Sequence, residues 1–282
     1  MTTAPAVPAL PGTGRLADEL RAVQVVWHRD MLHYVRDRVK IGVTLLQPLM
    51  LLLVLGVGLS SLLPSSNGAD YRTFLFPGML IMMVQSPAIS AGVSLVTDRQ
   101  FGFLREMVVA PVRRETLLIG KCLAGATMAT CQGVLLLPLA GVAGVPYDPV
   151  MMAALLGEMA VIALMLTALG TMLAVLIRRV ETFHALLGVL ATPLLFLSGA
   201  MFPPSGLPGW LSWGVTLNPV SYAVDALRRT ITASFSGPVT PRLFNGPTWG
   251  GWAPPVALEL ALITVAGLVM LVIGGRRFGR SD

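Results

Sequence analysis

LPGWLSWGVTLNPVSYAVDAL, residues 207–227, is apolar enough to invite reading as a helix that crosses a membrane, and too broken to be one. Pro208, Gly209, Gly214, Pro219 and Asp225 interrupt it. Interrupted backbone survives at membrane depth only where protein or a cavity satisfies its polar groups. Trp210, Trp213 and Tyr222 carry the amphipathic rings that gather at headgroup level. The stretch therefore reads as a re-entrant or interfacial pair of short helices on the outer face. That reading sets the number of crossings.

Around it the chain is built for lipid. Of its 282 residues 12% are charged and 55% hydrophobic, with mean hydropathy +0.76, against about 25% charged in an ordinary soluble protein. The apolar residues gather into runs at 41–63, 74–96, 122–145, 150–177, 185–202 and 255–273, each close to or beyond the length that spans a hydrocarbon layer of about 30 Å. The fifth run holds Pro193 and at about 1.5 Å per residue reaches only roughly 27 Å. The fold expected is an all-α membrane protein of six transmembrane helices. Residues 234–254, rich in Gly and Pro with Trp249 and Trp252, read as an outer loop near the interface.

The net charge of +6 does not point to nucleic acid, because the basic residues flank the apolar runs. With both termini cytoplasmic, sixteen of the 20 Lys and Arg fall inside, as the positive-inside rule requires. Letting 207–226 cross as an extra helix gives the same division, so the backbone argument above, rather than charge, favours six spans. The predominance of Arg over Lys, with abundant Ala and Gly, points to a GC-rich bacterial genome.

Three segments follow from this. Residues 1–14 are Pro, Ala, Thr and Gly without periodicity and are expected to be disordered. Over 15–40 the apolar residues Leu16, Leu20, Val23, Trp27, Met31 and Tyr34 recur at helical spacing, which predicts an amphipathic helix at the cytoplasmic interface. Residues 41–282 form the six-helix transmembrane domain.

Chemistry is excluded more readily than assigned. Gly120-Lys121 is followed by Cys122 and lacks the earlier glycine of a phosphate-binding loop. His28, His33 and His184 have no partner at metal-binding spacing, so no metal is expected. Gly58-Leu59-Ser60 and Gly92-Val93-Ser94 loosely match a nucleophile pattern, but no His lies in any span to act as base. Cys122 and Cys131, nine apart on one helix, face different ways and form no disulfide. No catalytic residue is expected. Glu158 within the fourth span and Glu259 near the outer end of the sixth are the carboxylates that a proton relay would use. A proton-coupled secondary transporter is the alternative reading they support.

The most informative polar segment is the loop TDRQFGFLREMVVAPVRRETLLIGK, residues 97–121. It interleaves Phe101, Phe103, Leu104 and Met107 with Asp98, Arg99, Arg105 and Glu106, a mixture suited to docking a partner.

At this loop the sequence resembles the permease subunits of ABC type-2 exporters, particularly bacterial drug-resistance and nodulation-type transporters. The resemblance is carried by Asp98-Arg99, Gly102, Leu104 to Met107, Ala110 to Arg113 and Gly120-Lys121, and by FLSGAMFPPSGLPGWLSWGVTLNPVSYAVDALR at 196–228. It implies six helices, an N-terminal interface helix and a re-entrant outer segment before the last span. It further implies a multi-pass protein of the bacterial inner membrane with both termini cytoplasmic, surrounded by membrane lipid and paired with a second permease, the same or a paralogue. Two separate nucleotide-binding subunits would hold ATP and Mg, and this chain would bind no cofactor. The function implied is efflux of hydrophobic or amphipathic substrates, drug-like or lipid-linked, including antibiotic resistance. Asp98, Arg99, Phe101, Gly102, Phe103, Leu104, Arg105, Glu106 and Pro111 would form the ATPase-coupling loop. Gln47, Met82, Gln85 and Phe196 would be candidate lining residues of a pathway between two permeases.

Overall fold

The computed structural model describes residues 15–56, 58, 71–101, 114–203, 208–235, 246–249 and 251–280. Nine α-helices are present among them: α1 (Arg15–Arg36), α2 (Arg38–Leu51), α3 (Tyr71–Gln100), α4 (Arg114–Val134), α5 (Pro149–Leu176), α6 (Val180–Leu197), α7 (Gly209–Leu217), α8 (Pro219–Ala233) and α9 (Val256–Arg280). There is no strand among the described residues, only an isolated bridge between Trp249 and Trp252. The 1–14 segment lies outside them.

Each boundary has a local cause. Asp148 caps α5 by accepting from the Val150 amide, with Pro149 in the first turn, where a missing N–H costs nothing. α4 passes through a 3-10 segment, Leu137–Ala143, which ends at Gly144 with φ 73°, a backbone conformation that glycine adopts without strain. Between α7 and α8 the chain breaks at Asn218-Pro219. Proline excludes helical geometry from the residue before it, and Asn218 is extended at φ −80°, ψ 114° while its side chain accepts from the Val220 amide. The pair of short helices expected over 207–227 is α7 and the first half of α8.

Five helices among the described residues are long and apolar enough to cross a membrane: α3, α4 with its 3-10 continuation, α5, α6 and α9. The first expected span is described only in part, as α2 followed by a π-helical turn at Leu52–Gly56. It meets α1 at a 66° bend.

α3 is the centre of the bundle, most of its residues buried, and packs on α4, α5, α6 and α8. Phe74, Phe76, Leu80 and Met83 of α3 form the core with Leu155, Met159 and Leu166 of α5 and Ile263 of α9. Lipid offers no hydrophobic drive between helices, so close contact through small residues has to hold them. A Cβ at Gly92 of α3 would stand 2.4 Å from the Gly170 carbonyl oxygen of α5 and 2.6 Å from Phe183 Cζ. Gly92 and Gly170 thus bring α3 and α5 into backbone contact and leave the slot into which α6 inserts Phe183. Phe183 is the one buried residue of α6.

Candidate coupling and transport site

One end of the bundle carries Arg29, Arg99, Lys121, Arg178, Arg179, Arg276 and Arg277, and Lys121 is its organising residue. Its side chain is 2% exposed, with Nζ 2.6 Å from Asp98 Oδ2 of α3 and 3.5 Å from Asp30 Oδ2 of α1. It also donates to Ser94 Oγ. Arg29 closes the cluster, its Nη2 2.9 Å from Asp30 Oδ1 and 3.2 Å from Asp98 Oδ2. Burial alone would lower Arg29, but Asp30 and Asp98 outweigh it and hold the guanidinium above its ordinary value. Two carboxylates facing two cations neutralise one another, which makes the burial of Lys121 tolerable.

The same face of α1 is bonded along its length. Trp27 Nε1 donates to Thr127 Oγ1 at 3.1 Å, and the Tyr34 hydroxyl donates to Gln132 Oε1 at 3.0 Å. Burial pushes the Tyr34 phenol up to about 12, so it remains protonated and able to donate. Gly120 is what lets α1 lie so close, since a Cβ there would meet Val26 Cβ at 3.2 Å.

The loop expected over 97–121 is helical at both roots: α3 runs on to Gln100 and α4 begins at Arg114. Asp98 and Arg99 therefore engage the chain's own helices. Arg99 Nη1 donates to the Val175 carbonyl of α5 at 3.2 Å, with its Cζ 5.6 Å from the Phe278 ring centroid of α9. Gln100 Oε1 accepts from the Val180 amide at the start of α6. Phe101 is 77% exposed. Gly102, Phe103, Leu104, Arg105, Glu106 and Pro111 lie outside the described residues.

The four candidate lining residues separate into two groups. Gln47 of α2 and Phe196 of α6 are exposed, Phe196 leaning on Phe202. Met82 is half-buried, and Gln85 turns inward to donate from Nε2 to the Ala191 carbonyl at 3.2 Å, joining α3 to α6.

At the opposite end α8 buries charge that sequence reasoning did not place. Arg228, 2% exposed, donates to the Gly199 carbonyl at 2.7 Å and stacks its Cζ 4.4 Å from the Phe74 ring centroid. Arg229 lies 2.7 Å from Asp225 and 3.9 Å from Glu259, and Thr230 donates to Glu158 Oε1. Glu259 is fully buried, beside Arg229 of α8. The spacing of Asp225, Arg228 and Arg229 within an otherwise apolar helix was the available signal, and it needed the fold of α8 against α5 and α9 to be read. The segment before α9 is fastened there too, with Trp249 Nε1 donating to the Tyr222 hydroxyl and Arg229 to the Pro254 carbonyl. Among the described residues no group of His, Cys, Asp and Glu could hold a metal ion.

A bundle of long apolar helices, with α1 bonded along α4 and a broken helix pair at the opposite end, is the architecture of a multi-pass membrane protein. The chain belongs to the ABC-2 type transporter family, which matches residues 21–232. It is 28% identical over 218 residues to a putative transport permease, ycf38, of Porphyra purpurea, covering 74% of this chain and 73% of that one. It is 25% identical over 258 residues to the probable doxorubicin resistance ABC transporter permease protein DrrC of Mycobacterium tuberculosis, covering 89% and 86%. Nodulation protein J of Rhizobium leguminosarum bv. viciae is 25% identical over 209 residues, covering 73% and 80%. The chain is thus the multi-pass permease component of an ABC transporter, a class that works with an ATP-binding subunit.

Proposed function

We propose that this chain is one of two permeases in an ATP-driven exporter of the bacterial inner membrane, with both termini and the basic end in the cytoplasm. Two ATP-binding subunits, holding ATP and Mg, dock on the 97–121 loop, and the permease itself catalyses nothing. The second permease, identical or paralogous, covers α6, and substrate passes between the two past Gln47, Met82 and Phe196. The cargo is hydrophobic or amphipathic, drug-like or lipid-linked. Spans rich in Leu, Met, Val and Ala lack the rings of like charge that ions or free sugars would need.

The observation that carries this reading is the locking of the loop's roots. Asp98, Arg99 and Gln100 are bonded to α1, α4, α5 and α6, so a push on the loop moves the helices together. Apolar Phe101 and Phe103 supply contact, and Glu106 fixes register. Replacing Glu106 with Lys, or both phenylalanines with Ala, should leave expression intact while reducing transport and substrate-stimulated ATPase activity. A charge reversal at such a contact costs roughly 2–5 kcal/mol. Exposed Thr248→Lys at the opposite end serves as the control. Full ATPase stimulation in the Glu106 and Phe variants would show that the loop is not the coupling element.

A further inference from the structure

The end of the bundle opposite the basic one gathers five charged side chains: Glu158 of α5, Asp225, Arg228 and Arg229 of α8, and Glu259 of α9. All are buried except Arg229, which is half-buried. Three carboxyls thus face two guanidiniums, and with every group ionised an apolar interior would hold one negative charge too many. Arg228 is already committed to the Gly199 carbonyl and the Phe74 ring. That leaves Arg229 to serve the acids, and its guanidinium is divided. Nη2 lies 2.7 Å from Asp225 Oδ2 and 3.9 Å from Glu259 Oε1, while Nη1 donates to the Pro254 carbonyl at 2.7 Å.

The carboxyls of Asp225 and Glu259 are themselves within hydrogen-bond reach of one another, and Glu158 stands close enough to add its charge. Among the described residues no N–H or O–H donates to either oxygen of Glu259. Gly246 closes over the Asp225 carboxyl so tightly that a Cβ there would collide with Cγ. Two carboxylates held in such contact cannot both remain ionised. One proton between them supplies the hydrogen bond that the contact requires and brings the five-residue cluster to neutrality. The acids do not group as ligands of a metal ion, so a proton is the cation that fits.

We propose that Asp225 and Glu259 share a single proton, and that this proton fastens the segment before α9 to α8. While it is held, one carboxyl donates to the other, and Arg229 spans Asp225 and the Pro254 carbonyl. Without it Glu259 is a second carboxylate competing for the same guanidinium, and Arg229 is drawn away from Pro254. The turn beside that anchor, where the Trp249 and Trp252 amides donate to each other's carbonyls at 2.8 and 3.1 Å, then loosens. The proton is held in place and takes no part in driving cargo, so the inference is independent of the exporter reading.

The test uses the full chain in nanodiscs and begins with infrared spectra at neutral pH. The carbonyl stretch of a protonated carboxylic acid is expected, with a component that is lost in Glu259→Gln and in Asp225→Asn and that fades from the unmodified protein as pH rises. Stability provides a second readout. The folded pair binds a proton that the unfolded chain has released, so stability falls as pH rises. Glu259→Gln keeps a donor toward Asp225 at every pH, so its Tm should match that of the unmodified protein in acid and exceed it by a widening margin toward alkaline pH. At a single alkaline pH, where intrinsic exchange is the same for both proteins, the Trp249 and Trp252 amides should exchange faster in the unmodified protein than in Glu259→Gln. Should Glu259→Gln fail to fold, Asp225→Asn must show the same missing band and the same slower exchange.

Identical carbonyl regions in the unmodified protein and Glu259→Gln, or Tm curves that run parallel across pH, overturn the proposal. So does a band that survives in Glu259→Gln and is lost in Glu158→Gln, which would put the proton on α5.

Discussion

Lys121 Nζ lies 2.6 Å from Asp98 Oδ2, and that oxygen is also 3.2 Å from Arg29 Nη2. One carboxylate thus joins three helices: α1, the last turn of α3 and the early part of α4. Asp98→Asn should leave Lys121 with only the more distant Asp30, at a cost of about 3 kcal/mol. Thermal unfolding of the detergent-solubilised protein should show a clear fall in Tm, and Asp98→Asn combined with Lys121→Met should be less damaging than the sum of the two. Strict additivity would mean that the pair contributes nothing as a pair.

Gly92 and Gly170 predict a steric contrast. Gly92→Ala places a methyl 2.4 Å from the Gly170 carbonyl oxygen, whereas Gly157→Ala on the same bundle meets nothing within 4 Å. Overpacking costs about 1–3 kcal/mol, so the first should lower Tm and the second leave it unchanged or slightly raised. Equal stability of the two variants would contradict the close α3–α5 crossing.

Arg228 is expected to tolerate no ordinary replacement. Its planar guanidinium both donates to Gly199 and stacks on Phe74, and a lysine cannot do both. Arg228→Lys should release the corner between α6 and α7, lowering Tm and increasing proteolysis of the 203–208 connection relative to Arg229→Lys. Indistinguishable digestion patterns would remove Arg228 from this role.

Topology can be read with single cysteines in a background lacking Cys122 and Cys131. Cysteines at Arg105 and Arg179 should resist an impermeant reagent applied to whole cells, and cysteines at Asp148 and Trp249 should react. The six-span reading also places Arg242 outside. Labelling of Arg105 from outside would reverse the orientation, and protection of Arg242 would turn 207–227 into a seventh crossing.

Hydropathy made α3, α4, α5, α6 and α9 legible, because 18 or more apolar residues in a row have few other uses. The break at Asn218-Pro219 was legible for a local reason, proline's effect on its predecessor. The ionic cluster was not: Asp30, Asp98 and Lys121 belong to three helices far apart in the chain, and each reads alone as a flanking charge. Tyr34 and Gln132, 98 residues apart, were invisible for the same cause. Glu158 reads in the sequence as a lone carboxylate of the fourth span, whereas Thr230 of α8 supplies it a hydroxyl. Asp98 and Arg99 drew attention as a docking surface, and their charge is spent on the chain's own helices.

The energy source tests the account most directly. The permease and its ATP-binding subunits, reconstituted in proteoliposomes, should accumulate an amphipathic cargo when ATP and Mg are supplied on the side of the basic end. Uptake should stop when the ATPase subunits carry a hydrolysis-blocking substitution, and should continue when a protonophore collapses the pH gradient. Accumulation driven by a proton gradient alone, with no ATP-binding subunit present, would contradict the account and make Glu158 and Glu259 the centre of a proton-coupled carrier.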